Sequence, residues 1–176
     1  IKNHFLFIDA FEFVLNSANR KIKALIIGDG ETREELTNYI AAKSVTDASK
    51  KNLKENIIFT SWINEVDVAL AGLDLVCLTS KNEGTPVSLI EAQAASKFII
   101  STDVGGIRDI LHPDCGLLSA SEDLANFKAN LLLAVNNFEE MNAQAGIASE
   151  EVIKKFSYTR LCYDMKILYK KLLNIE

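Results

Sequence analysis

The sequence predicts an α/β fold: a doubly wound, Rossmann-like parallel sheet covered by helices on both faces and followed by a helical C-terminal tail. Two observations carry that reading. Short apolar runs alternate with helical patterns of about ten to fifteen residues, the rhythm of parallel strands reached through crossover helices. The 176 residues are 48% hydrophobic and 24% charged, which gives a single domain, 1–176, a core of useful size and excludes a disordered chain.

In chain order, Phe5, Leu6, Phe7, Ile8, Phe11, Val14 and Leu15 surround a narrow polar stripe of Asp9, Glu12 and Asn16. That spacing describes a helix buried on most of its circumference, with Asn3 as its N-cap. Lys23–Ile27 is a short apolar run ended by Gly28-Asp29-Gly30, and the stretch from Glu31 to Lys43 is amphipathic, so strand, tight turn and helix follow one another. Ser44–Glu55 is polar and reads as a loop or a solvated helical extension. The alternation resumes with strand Ile57–Phe59, helix Asn64–Ala71, strand Leu75–Leu78, helix Pro86–Ala95, strand Phe98–Ile100, helix Ile107–Leu111 and a brief strand Gly116–Leu118. Leu124–Asn136, Glu139–Lys155 and Tyr158–Leu173 read as helices. Ligands of such a sheet sit beyond the carboxyl ends of its strands, which directs attention to the loops after Ile27, Phe59, Leu78 and Ile100.

Composition narrows the function. Lys and Arg number 19 against 24 Asp and Glu, a net charge of -5 with no basic block, so a nucleic-acid surface is excluded. No run approaches the roughly 20 apolar residues of a membrane span, and no secretory signal is recognisable, which makes the cytoplasm the expected compartment. Cys77, Cys115 and Cys162 stand singly, with neither zinc-site spacing nor the even count of a disulfide framework, and are expected to be plain thiols. Ile1 runs almost directly into a helical pattern, which suggests a piece of something longer.

Several loops could carry chemistry. Gly28-Asp29-Gly30 leaves a strand and opens a helix as a dinucleotide fingerprint does, but Arg33 replaces the third glycine, and a plain strand-to-helix turn explains the pair equally. Walker, Gly-x-Ser-x-Gly, His-Glu-x-x-His and Asp-x-Asp patterns do not occur, and His4 and His112 have no nucleophile beside them. The loop Thr79 to Ala92 is more telling. Pro86 suits the first helical position, so the amides around Gly84–Ser88 would point out of a helix N-terminus and cradle an anion such as a diphosphate. Glu91 stands on a helix face of Val87, Ser88, Ala94 and Ala95, where a carboxylate needs a partner or an exposed cleft; a simple solvent-facing glutamate is the alternative. Thr102-Asp103-Val104-Gly105-Gly106 is a second glycine turn at a strand end. Lys2 beside the first helix's N-terminus is disfavoured by the helix dipole unless an anion lies close.

Glu83-Gly84-Thr85-Pro86 continuing to Leu89-Ile90-Glu91-Ala92, Ser101 to Gly106, and Gly116-Leu117-Leu118 together resemble the nucleotide-sugar-binding C-terminal domain of family 4 (group 1) glycosyltransferases, which have the GT-B fold. The match runs in order from Lys2-Asn3-His4 through Ile26 to Gly30 and the two glutamates, Glu83 and Glu91, to Phe156-Ser157 and Leu168-Tyr169. The resemblance implies catalytic roles for Glu83, on the donor sugar's hydroxyls, and Lys2, on the diphosphate leaving group. It makes Glu91 the carboxylate for the ribose hydroxyls, faces the amides of Gly84, Thr85 and Val87 with Pro86 toward sugar and diphosphate, and puts Gly28 and Trp62 near the nucleotide. It also implies a retaining transfer, from a UDP-sugar or a similar donor to a glycan or lipid-linked acceptor, with no metal or other cofactor. Peripheral association with the inner face of the membrane and a role in polysaccharide biosynthesis are implied by the family alone.

Ser96, Phe98 and Cys115 depart from the family pattern, in which Gly, Pro and a small polar residue are usual; these departures touch packing more than chemistry. A Gly-Arg strand at the centre of the sheet and an acceptor-binding N-terminal domain precede Lys2 in the family. A gap in the sheet, weak nucleotide binding and no transfer by residues 1–176 alone are therefore expected. The competing readings are a sugar-nucleotide epimerase of the same fold, to which the scarcity of histidine is unfavourable, and a non-catalytic Rossmann module centred on Gly28.

Overall fold

The structure is a computed structural model that describes residues 1–45 and 51–174. Its described strands are all parallel and form two sheets. In one, β1 (Ala24–Ile26) pairs with β2 (Ile57–Phe59); in the other, β4 (Phe98–Thr102) lies between β3 (Leu75–Leu78) and β5 (Gly116–Ser119). The helices between them are α1 (His4–Ser17), α2 (Arg33–Val45), α3 (Leu53–Asn56), α4 (Val66–Ala71), α5 (Val87–Ala94) and α6 (Ile107–Ile110). A 3-10 turn at Pro113–Cys115 enters β5, and α7 (Leu124–Asn136), α8 (Phe138–Phe156) and α9 (Tyr158–Leu173) complete the chain. The predicted α/β class with its helical tail is what the structure has.

Some boundaries move, each for a local reason. The polar stretch after Ser44 is partly helical, because Asn52 caps α3 by accepting from the Lys54 amide at 2.9 Å; positions 46–50 of that predicted loop lie outside the described residues. Strand β4 extends two residues past Ile100, since Ser101 and Thr102 pair with Leu118 and Ser119 and are fully buried. Asn3 does precede α1, but with φ 50 and ψ 47 its backbone is left-handed and its side chain makes no cap hydrogen bond. Pro86 is the residue before α5, with ψ 100, not its first helical residue.

Period-two alternation on β4 divides the core. Phe98 and Ile100 face Leu6, Ala10 and Val14 of α1, Phe127 and Leu131 of α7, and Ala148 and Val152 of α8. Ile99 points the other way, to Leu70 of α4, Leu89 and Ala92 of α5, and Ile107 and Ile110 of α6. Helix α1 also turns Ile8, Phe11 and Leu15 toward Ala24, Ile26, Leu36, Ile40 and Ile57, so it packs on elements of both sheets. That double contact is why so much of its circumference is apolar. Each such Ile or Leu taken from water contributes about 1.5–3 kcal/mol. The polar stripe is used as well: Lys43 of α2 pairs with Asp9 at 2.8 Å and Glu12 at 2.7 Å, and the Tyr39 hydroxyl donates to Asp9 at 2.8 Å.

Among the described residues, β1 and β3 each keep one edge unpaired, and residues 20–29 and 72–79 line a single cavity of about 840 Å³. No ladder joins the two sheets among the described residues. Helix α9 buries none of its residues, and no described helix is long and apolar enough to cross a membrane. Of the three departures, Phe98 and Cys115 are buried, whereas Ser96 has φ 59 and so occupies a left-handed position that suits glycine.

Open parallel edges on a cavity predict that residues 1–176 expressed alone self-associate or unfold without cooperativity. Concentration-dependent light scattering checks this, and a monodisperse chain with one sharp unfolding transition would contradict it. Replacing Ser96 with Gly relieves a left-handed side chain worth about 1–2 kcal/mol against a glycine entropy cost of about 0.5–1 kcal/mol, so Tm should rise by a degree or more.

Candidate functional site

The site is built at the carboxyl end of β3. Thr79 and Ser80, the two residues leaving that strand, are buried, and their backbone neighbourhood receives the start of the chain. The Thr79 hydroxyl donates to the Lys2 carbonyl at 2.9 Å, and the Lys81 amide donates to the Ile1 carbonyl at 2.9 Å. Held there, Lys2 donates from Nζ to Glu83 Oε1 at 2.6 Å. The Ser80 hydroxyl donates to the same oxygen, also at 2.6 Å. Glu83 supplies the anion that a lysine at the N-terminus of α1 requires. Partial burial pushes the Glu83 carboxyl up, but hydrogen bonds from Lys2 and Ser80 and the Lys2 charge outweigh it and hold the group below its usual value.

The loop that carries Glu83 is pressed against the second glycine turn. The Gly106 amide donates to the Gly84 carbonyl at 3.1 Å. A side chain at Gly105, whose φ is +55, would come within 1.7 Å of the Glu83 carbonyl oxygen. That turn is therefore more than strand-end geometry, because it sets where Glu83 lies. Beside it Asp103 binds the Arg108 guanidinium, with Nε 2.8 Å from both carboxylate oxygens.

Ahead of α5, Gly84 and Thr85 are exposed and Pro86 is buried; Val87, the first residue of the helix, is exposed, and the space a Gly84 side chain would take is open. Ser88 and Glu91 of α5 line the cavity between β1 and β3, as do Lys2, His4, Gly28 and Trp62. Gly84 to Val87 lie outside that lining, and Glu83 reaches it through Lys2. Glu91 is exposed on the cavity wall, with no side-chain hydrogen bond or ion pair among the described residues. Glu91 is thus both open to solvent and on the cavity wall, and its carboxylate has no protein partner among the described residues. Trp62 is 80% exposed, its indole available to a planar ligand.

The first glycine turn is less accommodating. Gly28 has φ +113, and its amide donates to Thr60 Oγ1 at 3.3 Å. Asp29 caps its own turn at Gly30 and pairs with Arg33 at 3.0 Å, which puts a carboxylate and a guanidinium where a dinucleotide fingerprint needs bare backbone.

Sequence reasoning missed Ser80, Thr79, Thr102 and His4. The signal was a run of hydroxyls directly after an apolar strand, at the sheet end where ligands bind. His4 is half-buried on the cavity wall; burial first, then the Lys2 charge, lowers its pKa, so the imidazole is neutral at pH 7. Among the described residues no group of three or more His, Cys, Asp and Glu converges as a metal site. What the cavity wall gathers is the Lys2 ammonium with Glu83 bound behind it, the Glu91 carboxylate, and Ser88 in the first turn of α5, an arrangement suited to a ligand both anionic and hydroxylated.

The family described as Glycosyl transferases group 1 matches residues 1–137. A curated relative of Escherichia coli, UDP-Gal:alpha-D-GlcNAc-diphosphoundecaprenol alpha-1,3-galactosyltransferase, is 25% identical over 171 residues, 96% of this chain and 42% of its own length. A crystal structure of a TarM variant of S. aureus in complex with fondaparinux, alpha-GlcNAc-glycerol and UDP superposes with a TM-score of 0.79 at 24% identity, over 96% of this chain and 33% of that one. The C-terminal domain of a glycosyl transferase group 1 family protein (LpcC) of Francisella tularensis superposes with a TM-score of 0.70 at 22% identity, over 88% of this chain and 78% of that one. The chain thus spans about two fifths of the length of the E. coli relative.

The two glycines of the Glu83 loop and its buttress should respond oppositely to alanine. Gly105→Ala, strained and blocked by backbone, should cost about 2 kcal/mol or more, while Gly84→Ala, facing open space, should stay within about 0.5 kcal/mol. Urea unfolding of the two variants measures the difference.

Proposed function

The chain belongs to the glycosyl transferases group 1 family, and we propose from that premise that it is the donor-binding part of a retaining glycosyltransferase. The reaction transfers a sugar from a nucleoside-diphosphate sugar, a UDP-sugar, to a glycan or lipid-linked acceptor. The observation that carries this reading is the Lys2 to Glu83 pair at the edge of a cavity whose wall also bears Glu91.

The bond between the sugar's anomeric carbon and the β-phosphate oxygen breaks while the acceptor hydroxyl oxygen bonds to that carbon and gives up its proton, so the nucleoside diphosphate leaves with negative charge gathered on its β-phosphate oxygen. Lys2, on the cavity wall, and the first turn of α5, which reaches the cavity at Ser88, serve that charge, and prepositioned donors of this kind lower the barrier without the intervention of a metal. Glu83 accepts hydroxyls of the sugar, and Glu91, exposed and unpaired at the cavity, accepts those of the ribose. Trp62 and Gly28, on the same cavity, adjoin the base and the phosphates. A UDP donor is supported by the nucleotide in the TarM structure, and a lipid-linked acceptor by the name of the E. coli relative. The acceptor is bound by an N-terminal domain outside this chain. The full-length enzyme is placed in the cytoplasm, peripheral to the inner face of the membrane, where polysaccharide is assembled.

Titrating UDP and UDP-sugars into the full-length protein tests the assignment. Glu91→Ala should weaken UDP about tenfold to a hundredfold through a lost charge-assisted contact, and Lys2→Ala should cut kcat about a hundredfold. Residues 1–176 alone should bind UDP weakly and transfer nothing. Binding indifferent to Glu91, or sugar transfer by the isolated chain, would overturn the reading.

A further inference from the structure

Both protein donors to Glu83 converge on one atom. Lys2 Nζ and Ser80 Oγ each lie 2.6 Å from Oε1, and Oε2 accepts no hydrogen bond among the described residues. The two donors differ in freedom. Lys2 has a side chain 56% exposed on a flexible stem. Ser80 is fully buried, and its carbonyl accepts from the hydroxyl of the equally buried Thr102 at 2.6 Å.

A diphosphate carries more charge than one carboxylate and draws the Lys2 ammonium toward itself. Glu83, with a side chain only 11% exposed, then loses its cation while still largely out of water. Unheld, it would rotate toward water or take up a proton, and its open Oε2 would no longer face the sugar. We infer that Ser80 is a positioning residue that keeps Glu83 ionised and aimed at the donor sugar while Lys2 serves the diphosphate. This rests on the donor-site reading given above. Thr102 and the Gly105 turn make Ser80 and Glu83 one rigid unit, so the hydrogen bond survives the departure of Lys2.

The test uses the full-length protein with UDP, a UDP-sugar and an acceptor. Ser80→Ala should leave the Kd for UDP within twofold, lower kcat about tenfold to a hundredfold, and move the acidic limb of the kcat profile upward by about one pH unit. Ser80 acts through Glu83, so Ser80→Ala should have little further effect on kcat in a Glu83→Gln background. If Ser80→Ala does not fold, Ser80→Cys, slightly larger and a weaker donor, carries the same readouts. Weakening of UDP and UDP-sugar alike with the acidic limb unmoved, or a kcat loss that adds in full to that of Glu83→Gln, makes Ser80 merely structural and overturns the inference. A wild-type protein that takes no nucleoside diphosphate overturns the donor site and the role of Ser80 together.

Discussion

Lys2 and Glu83 stand 81 positions apart in the chain and 2.6 Å apart in space, and that contact depends on nearly everything else in the fold. Helix α1 must be apolar on two sides to lie against both the three-stranded sheet and the β1–β2 pair. Only then does its N-terminus come to the carboxyl end of β3, where Thr79 and Lys81 bind the backbone of the first two residues. The helix dipole makes that place unfavourable for a lysine, and the Glu83 carboxylate compensates. The apolar patterning of one helix therefore decides where a cation stands at the other end of the sheet.

In the donor site we propose, the pair is one that can be exchanged. An ion pair with an exposed partner contributes about 0–1 kcal/mol, because water and entropy cancel most of the Coulomb gain. Lys2 is that exposed partner. Moving it to a diphosphate thus costs little, while the reverse arrangement, a mobile glutamate and a fixed lysine, would leave the sugar without a stationary acceptor. Burial is spent on the groups that must not move: Ser80 and Thr102 are fully buried, and Gly105 lies flat on the Glu83 backbone.

How far this could be read from sequence follows the range of each interaction. β3 at Leu75–Leu78 and α7 at Leu124–Asn136 match their patterns residue for residue, because a continuous apolar run and a helical period are local signals. β4 continues into Ser101 and Thr102 because pairing with β5 overrides their polarity, and that neighbour is invisible in the segment itself. Pro86 was expected one position later in its helix, since proline suits both the N-cap and the first turn. Glu83 and Glu91 stood out as carboxylates in a helix-opening loop. Ser80 did not, because a serine beside a turn is common and its meaning comes only from the three-dimensional position of Lys2.

The two glycine turns looked alike as sequence and differ in physics. At Gly28 the backbone requires glycine through φ +113, but no atom lies within 4 Å of where a side chain would stand. At Gly105 φ is also positive, and the neighbouring backbone of Glu83 would collide with any side chain at 1.7 Å. The first glycine is required by the conformation of its own turn; the second is required by the packing of another loop as well. Both positive φ values disfavour a side chain, but at Gly105 alone of the two a collision with neighbouring backbone adds to that strain. The turn at Gly105 is thus bound to the position of Glu83 by packing, and the turn at Gly28, closed by the Asp29 to Arg33 pair, is tied to the segment after β2 only through the hydrogen bond from its amide to Thr60.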